Sequence, residues 1–284
     1  MSENKQFGDL PPQYTDYEYS QIVIVPVPYE ETTTYIKGAA NGPDAVIRAS
    51  MNLELYDIEN DFEVYKKGIS TDLPVTESSS PETMIQQLKA GIDNHIKNKK
   101  LTVVLGGEHT VAVGSARAYV DNFENVTVLQ LDAHADLRDA YLGSKYSHAC
   151  TMARINEFAP IVQVGIRAMD VSEQQFIKPD KVFFSKDIHN SGSWIEKVIE
   201  QLSENVYITI DLDVFDPSIM SSVGTPEPGG LLWYDALTLL KTVCHEKNLL
   251  GFDVVELCPN PQNVAPDFTA AKLIYKLLSY KFAQ

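Results

Sequence analysis

The sequence lacks the features of a membrane or secreted protein. It contains no apolar run of 18 residues, so no transmembrane helix is expected. Its polar first 21 residues lack the apolar core of a signal peptide. The three cysteines, Cys150, Cys244 and Cys258, are too few and too scattered for a disulfide framework. We therefore expect a cytoplasmic protein whose cysteines are small core residues.

Positive charge is also scarce. Lys and Arg number 23 against 39 Asp and Glu, which gives a formal net charge of −16. A chain this acidic is a poor partner for nucleic acid, and its field favours a small cation as ligand. The apolar fraction of 44% and the charged fraction of 22% are typical of a folded protein and argue against wholesale disorder.

Internal repeats, low-complexity blocks and Gly/Ser-rich linkers are absent as well. The simplest division is an N-terminal arm over residues 1–20, which carries Pro11 and Pro12, and a single domain over residues 21–284. Nothing in the remaining sequence marks a second domain boundary.

Apolar runs of strand length alternate with helical patterns along this domain. The predicted strands are rich in Val, Ile and Leu, as strands covered on both faces are: 21–27, 101–105, 126–132, 161–165, 181–185, 206–211 and 249–257. The predicted helices are 42–50, a stripe over 85–96, 194–202, 233–245 and 268–282. This alternation predicts an α/β fold with a mostly parallel sheet between helices. Ligands bind such sheets beyond the carboxyl ends of the strands.

Side chains that bind metals follow two of these strands. His109 comes after two glycines at the end of strand 101–105, where on its own a hydrogen-bonding role is favoured. Asp132, His134 and Asp136 leave the next strand at alternate positions. Helix capping would explain an aspartate there, but not the histidine between the two. Buried charges of this kind need partners, which favours a cation.

Asp211 and Asp213 follow a third strand at the same spacing. The candidate ligands are then His109, Asp132, His134, Asp136, Asp211 and Asp213. Four carboxylates without cations would repel one another strongly, so two divalent ions are expected. Carboxylate-rich sites with one imidazole per ion suit manganese better than zinc. Two such ions activate a bridging hydroxide, which predicts a hydrolase, although spacing alone leaves the ligand pairing open.

Two further groups are candidates for catalysis. His148 follows the Asp136 loop and is either a proton shuttle or a hydrogen-bonding surface histidine. Glu256 lies near the end of strand 249–257, where a carboxylate needs an arginine, a metal or a charged substrate. A guanidinium group suits it, because its planar fork meets a carboxylate in two hydrogen bonds.

Taken in order, these motifs resemble the ureohydrolase family of arginases, agmatinases, guanidinobutyrases and formiminoglutamases. The similarity spans roughly residues 20–282 and includes Gly106-Gly107-Glu108-His109, Asp132 to Asp136, Asp211 to Pro217 and Val254-Val255-Glu256. It implies a three-layer αβα fold around a mostly parallel sheet, as in arginase. It also implies two Mn²⁺ per subunit and a homo-oligomer, trimeric or hexameric.

The resemblance also implies roles for the individual residues. The implied ligands are His109 and Asp136 for one ion, His134 and Asp213 for the other, and Asp132 and Asp211 as bridges. His148 resembles the family's proton shuttle, and Glu256 resembles the carboxylate that orients the guanidinium. Asp136 would also accept a hydrogen bond from the nucleophile.

Within the family, the stretch 224–230 and the loop after Asp136 are similar to agmatinase. This predicts hydrolysis of agmatine to putrescine and urea in a polyamine pathway. Asp170 resembles a residue that recognises the far end of the substrate, and it is equally interpretable as a solvated loop residue. Asp139 and Tyr141 are weaker candidates. Glu108 stands where Asp is commoner in the family's first motif.

Other functions remain open at this point. A guanidinobutyrase, a formiminoglutamase or an arginase would keep the same metal site, and Arg138 or Arg167 would then serve a carboxylate tail. A catalytically silent subunit would keep the fold, but it would be expected to have lost a ligand or His148.

Overall fold

The computed structural model describes residues 5–283. Within them a single sheet contains the strands β1 (Ile22–Val27), β2 (Ile69–Thr71), β3 (Leu101–Gly106), β4 (Val126–Leu131), β5 (Ile161–Ile166), β6 (Val182–Phe184), β7 (Asn205–Asp211) and β8 (Asn248–Val255). Their order is β2-β1-β3-β8-β7-β4-β5-β6, and every neighbouring pair is parallel.

Helices cover both faces of this sheet. They are α1 (Gly42–Ser50), α2 (Pro81–Lys97), α3 (Val111–Asn122), α4 (Thr151–Ile155), α5 (Ser185–Ile188), α6 (Trp194–Gln201), α7 (Trp233–Glu246) and α8 (Ala265–Phe282). One core cluster joins α1 and α5–α8 to the sheet, and a second joins α2–α4 to its other face. Alternate residues of β1 enter the two cores, Ile22 and Ile24 on one face and Val23 and Val25 on the other. The predicted three-layer αβα fold is therefore confirmed.

The structure differs from the predicted elements in a few places. The sequence gives no signal for β2, which is only three residues long. Helix α3 also escaped prediction, because it is buried on most sides and shows no amphipathic stripe. The predicted strand 249–257 ends at Val255, since Glu256 adopts a left-handed φ of 67°.

The N-terminal segment lies against the edge of the sheet. The Phe7 side chain is 0% exposed and belongs to the same core as α1 and α8. Its backbone N–H donates to Thr71 Oγ1 at 3.0 Å, and the Thr71 N–H donates to Gln6 Oε1 at 2.9 Å. Residues 1–4 of the predicted arm, and residue 284 of the predicted domain, lie outside the described residues.

No helix in the described part of the chain is both long enough and apolar enough to cross a membrane.

Candidate active site

Four neighbouring strands in the middle of the sheet end at one place. At their carboxyl ends β3, β8, β7 and β4 lead into His109, Glu256, Asp211 and Asp132, respectively. A cavity of about 340 Å³ opens above these ends. Of the predicted site residues its wall contains His109, His134, Asp136, His148, Asp170, Asp211, Asp213 and Glu256. Asp132 is fully buried.

The first group of donors surrounds His109. Its Nδ1 lies 3.1 Å from Asp132 Oδ2, 3.1 Å from Asp136 Oδ2 and 3.5 Å from Asp211 Oδ2. Ligand atoms of His109, Asp132 and Asp211 all lie within 4.8 Å of one another, which is close enough to share a cation.

The second group surrounds His134. Its Nδ1 lies 2.9 Å from Asp213 Oδ2 and 3.6 Å from Asp132 Oδ1. Asp132 therefore turns one oxygen toward each histidine and belongs to both groups. The structure thus brings together all six predicted ligands.

The hydrogen bonds of His109 test whether these residues suit a metal. Its Nε2 lies 2.9 Å from Thr209 Oγ1, and that hydroxyl donates to Asp253 Oδ1 at 2.6 Å. Because Thr209 uses its proton on Asp253, it accepts the proton on His109 Nε2, which leaves the lone pair on Nδ1. This buried Nδ1 has no hydrogen-bond partner and faces carboxylates. A lone pair so placed fits a cation between them.

Protonation would be the alternative way to neutralise the cluster. Burial lowers the pKa of His109, but the carboxylates of Asp132 and Asp136 beside its ring outweigh this effect and raise that pKa well above 6.5. Burial and the charge of Asp213 raise the pKa of Asp211 well above 3.8. The charges of so many acids cannot be held in this space without cations or protons, so the donor set fits two divalent ions.

Backbone geometry turns the Glu256 carboxylate into the same space. The Glu256 N–H donates to Gly107 O at 2.8 Å, and the His109 N–H donates to Glu256 Oε1 at 2.7 Å. Gly107 also lets the chain after β1 approach this turn, since a Cβ there would lie 2.1 Å from the Tyr29 carbonyl oxygen. Within residues 5–283 no Lys or Arg pairs with Glu256. Of the partners considered from the sequence, an arginine is thus absent.

His148 is held by a residue that sequence analysis did not identify. Its backbone N–H donates to Thr32 Oγ1 at 2.9 Å, and its Nδ1 lies 3.1 Å from the same oxygen. Thr32 Oγ1 donates to Glu108 Oε1 at 2.8 Å, so it accepts the Nδ1 proton and leaves the Nε2 lone pair of His148 free. Burial lowers the pKa of His148 to about 4.

Glu108 anchors the loop that carries Thr32. Its side chain is 0% exposed, and its Oε2 accepts from the backbone N–H groups of Glu31, Thr32 and Thr33 at 2.7–3.1 Å. The sequence contains a signal for Thr32. Polar residues 31–34 follow β1, so they too lie at the carboxyl edge of the sheet.

The two arginines considered for a carboxylate tail are both engaged. Arg167 donates to main-chain carbonyls of Asp213 at 2.6 Å and Glu227 at 2.8 Å, among others, and it does not line the cavity. Arg138 does line it, but its Nη1 lies 3.6 Å from Asp170 Oδ2 and its guanidinium covers the Tyr141 ring at 4.9 Å.

The residues predicted to contact the far end of the substrate do not all line the cavity. Asp170 and Tyr141 line the cavity, while Asp139 pairs with Arg154 at 3.0 Å and does not. Asp170 Oδ1 also accepts from the Ser172 N–H at 3.0 Å and so caps a short helix. Glu227, which sequence analysis did not single out, lines the cavity as well.

Comparisons with known proteins extend over almost the whole chain. Residues 20–279 match the model of the arginase family. The N(1)-aminopropylagmatine ureohydrolase of Synechocystis sp. is 38% identical, with 99% of this chain and 97% of that protein covered. The agmatinase of Pyrococcus horikoshii is 30% identical over 93% of each chain. The agmatine ureohydrolase structure of Thermoplasma volcanium has a TM-score of 0.88 and 31% identity, covering 98% of this chain and 94% of that one.

Proposed function

The chain belongs to the arginase family and is a ureohydrolase, and we propose that it hydrolyses agmatine to putrescine and urea. The observation that carries this proposal is the carboxylate of Glu256, which has no Lys or Arg partner within residues 5–283 and lies beside two groups of candidate metal ligands. A guanidinium is the group that such a carboxylate orients best.

We propose manganese as the metal of this site. His109 and Asp136 would hold one ion, and His134 and Asp213 the other; the bridging residues would be Asp132 and Asp211. When bound, two such ions supply Lewis acidity and a water of lowered pKa. The donor set supports manganese, because oxygen ligands outnumber nitrogen ligands.

The chain's own residues account for the other needs of the reaction. Glu256 holds the guanidinium carbon in place, because its Oε1 is itself fixed by the His109 N–H. Asp136 accepts a hydrogen bond from the nucleophile. The departing amine needs a proton before the C–N bond breaks. His148 takes that proton from solvent at its free Nε2 and passes it to the amine, while Thr32 holds Nδ1.

The charge of the cavity supports a substrate with a cationic tail. Among the described residues, its wall contains several acids, no lysine and one arginine, Arg138, which already faces Asp170 and Glu173. A carboxylate tail such as that of 4-guanidinobutyrate would have no free cation among the described residues that line this wall.

A second candidate substrate is N(1)-aminopropylagmatine, the same guanidine with a longer cationic tail. The observation that favours it is the name of the relatives from Synechocystis sp. and Thermus thermophilus, which are 38% and 37% identical to this chain. The same residues would hold its guanidinium.

The test is urea release from the purified, manganese-loaded protein. Agmatine, N(1)-aminopropylagmatine, arginine and 4-guanidinobutyrate are compared side by side as kcat/KM. We expect the two cationic-tailed guanidines to exceed the other two by at least about tenfold. Preference for arginine or 4-guanidinobutyrate would overturn the substrate while keeping the chemistry. No urea from any of the four, with two ions bound per chain, would overturn the proposed function.

A further inference from the structure

We propose that Glu227 is the specificity-determining residue for the substrate's ammonium tail. The tail of agmatine, or the nearer amine of a longer polyamine, would pair with its carboxylate while the guanidinium lies at Glu256. This inference rests on the proposed function and adds the residue that distinguishes cationic from neutral or acidic guanidines.

Glu227 offers a free negative charge on the cavity wall. It is half-buried and lines the same cavity as the metal ligands. Its carboxylate forms no hydrogen bond or ion pair with any residue from 5 to 283. A partly desolvated carboxylate without a partner binds an ammonium group more strongly than one in open water does.

The other acids of the wall already have partners or roles. Asp170 faces Arg138 at 3.6 Å and accepts from Ser172 Oγ at 2.6 Å. Glu173 lies 4.0 Å from Arg138 and accepts from the Leu137 N–H at 2.8 Å. The remaining carboxylates are the metal ligands and Glu256. Among the described residues of this wall, Glu227 is thus the acid with no direct hydrogen bond or ion pair; its charge also acts on Arg167, whose guanidinium donates to main-chain carbonyls.

The backbone fixes Glu227 relative to the metal ligands. Arg167 Nη2 donates to the carbonyl oxygens of both Glu227, at 2.8 Å, and Asp213, at 2.6 Å. Pro226 and Pro228 flank Glu227 and restrict the backbone on either side. Since Arg167 ties the loop to a metal ligand, the backbone of Glu227 is held in place before substrate arrives, and only the side-chain torsions are left to be ordered on binding.

The deciding variant is Glu227→Gln, which keeps the shape and the carbonyl that Arg167 binds but removes the charge. The substrates are agmatine and butylguanidine, which has the same four carbons but no amine. We expect the KM for agmatine to rise about tenfold with kcat little changed, and the agmatine-to-butylguanidine ratio of kcat/KM to fall about tenfold. Calorimetric titration with agmatine should show the same loss of affinity.

A second variant and a control sharpen this test. Glu227→Lys should raise kcat/KM for 4-guanidinobutyrate relative to agmatine, because it reverses the charge at the tail. Glu196→Gln, on the exposed face of α6, removes one charge from a residue that does not line the cavity and should leave the substrate ratio as in the wild type.

Three outcomes would overturn the inference. The first is an unchanged agmatine-to-butylguanidine ratio in Glu227→Gln. The second is an equal loss for both substrates with lower metal content, which would mean a structural role. The third is a fall in the agmatine-to-butylguanidine ratio of kcat/KM in Asp170→Asn but not in Glu227→Gln, which would place the substrate's ammonium group at Asp170. Failure of the wild type on every guanidine would instead overturn the proposed function, and this inference with it.

Discussion

A threonine decides which nitrogen of His109 is available to a metal. Thr209 accepts the proton on Nε2 because its own hydroxyl proton is used by Asp253. Nδ1 is left with a lone pair toward the carboxylates of the site. The availability of Nδ1 to a cation thus depends on Thr209 and Asp253 as well as on the imidazole itself.

We predict that Thr209→Val lowers manganese affinity. Valine keeps the shape but loses the oxygen that fixes the tautomer, and losses of this kind are typically about 10–100-fold. Metal titration of the chelator-treated protein measures the effect. Thr209→Ser retains the hydroxyl and should restore most of the affinity. Wild-type affinity in Thr209→Val would show that the tautomer needs no hydroxyl.

At the proton shuttle, we predict that His148→Asn lowers kcat while both ions stay bound. The residue is not among the predicted ligands, and loss of a general acid typically lowers rates about 10²–10⁴-fold. Urea release and metal content of the same sample test this. Normal turnover would remove His148 from the mechanism.

For single residues, the sequence predicts the type and the spacing of the candidate metal ligands. Asp132, His134 and Asp136 stand at alternate positions after an apolar strand. The six candidate ligands together, four of them carboxylates, predicted two ions before any contact was known. The partners of His109 and His148 were not predictable in this way. Thr209 lies 100 residues from His109, and Thr32 lies 116 residues from His148, so only folding brings them together.

Among the elements, the loop after β1 couples Glu108 to His148. Thr32 donates to Glu108 and accepts two hydrogen bonds from His148, which uses the full capacity of its hydroxyl. The glutamate that departs from the family's usual aspartate therefore has a function in this chain. It fixes a loop by accepting three backbone N–H groups.

We predict that Thr32→Val lowers kcat about tenfold without loss of metal, because His148 loses the acceptor that orients Nδ1. Thr32→Ser should keep most of the rate. The rate and the metal content are measured on the same preparation. An equal fall in metal content would mean that the loop supports the metal ligands rather than His148.

Prediction of the elements depended on how each one is buried. Seven strands were predictable because most are continuous runs rich in Val, Ile and Leu. Helix α3 lacks a polar face over most of its length, and β2 is too short to show a period. The end of β8 depends on the left-handed backbone at Glu256, which no pattern of apolar residues encodes.

Over the whole molecule, we predict that manganese stabilises the fold more at about pH 8 than at about pH 5. Burial, aided by the charge of Asp132, raises the pKa of Asp136 from 3.8 to about 6, against the hydrogen bond to His109. In the metal-free protein, protonated Asp136 therefore contributes to the free energy of unfolding. This contribution is complete below the unfolded pKa of 3.8 and is lost as the pH rises through about 6. Ionised Asp136 is the form that binds a cation, so manganese binding restores the stability that is lost when Asp136 ionises.

The measurement is the Tm with manganese and with a chelator at the two pH values. The chelator-treated protein is the control for acid effects elsewhere in the fold. An equal rise in Tm at both pH values would contradict the predicted linkage.

The order of the strands limits when this site can form during synthesis. β8 is the last strand along the described chain, yet it lies between β3 and β7 in the sheet. Until residues 248–255 leave the ribosome, His109 on one half of the sheet has no strand that joins it to the aspartates on the other. A nascent chain stopped before β8 therefore cannot assemble the complete ligand set. Binding of the proposed ions would therefore show that translation has passed β8 and that β8 has joined the two halves of the sheet.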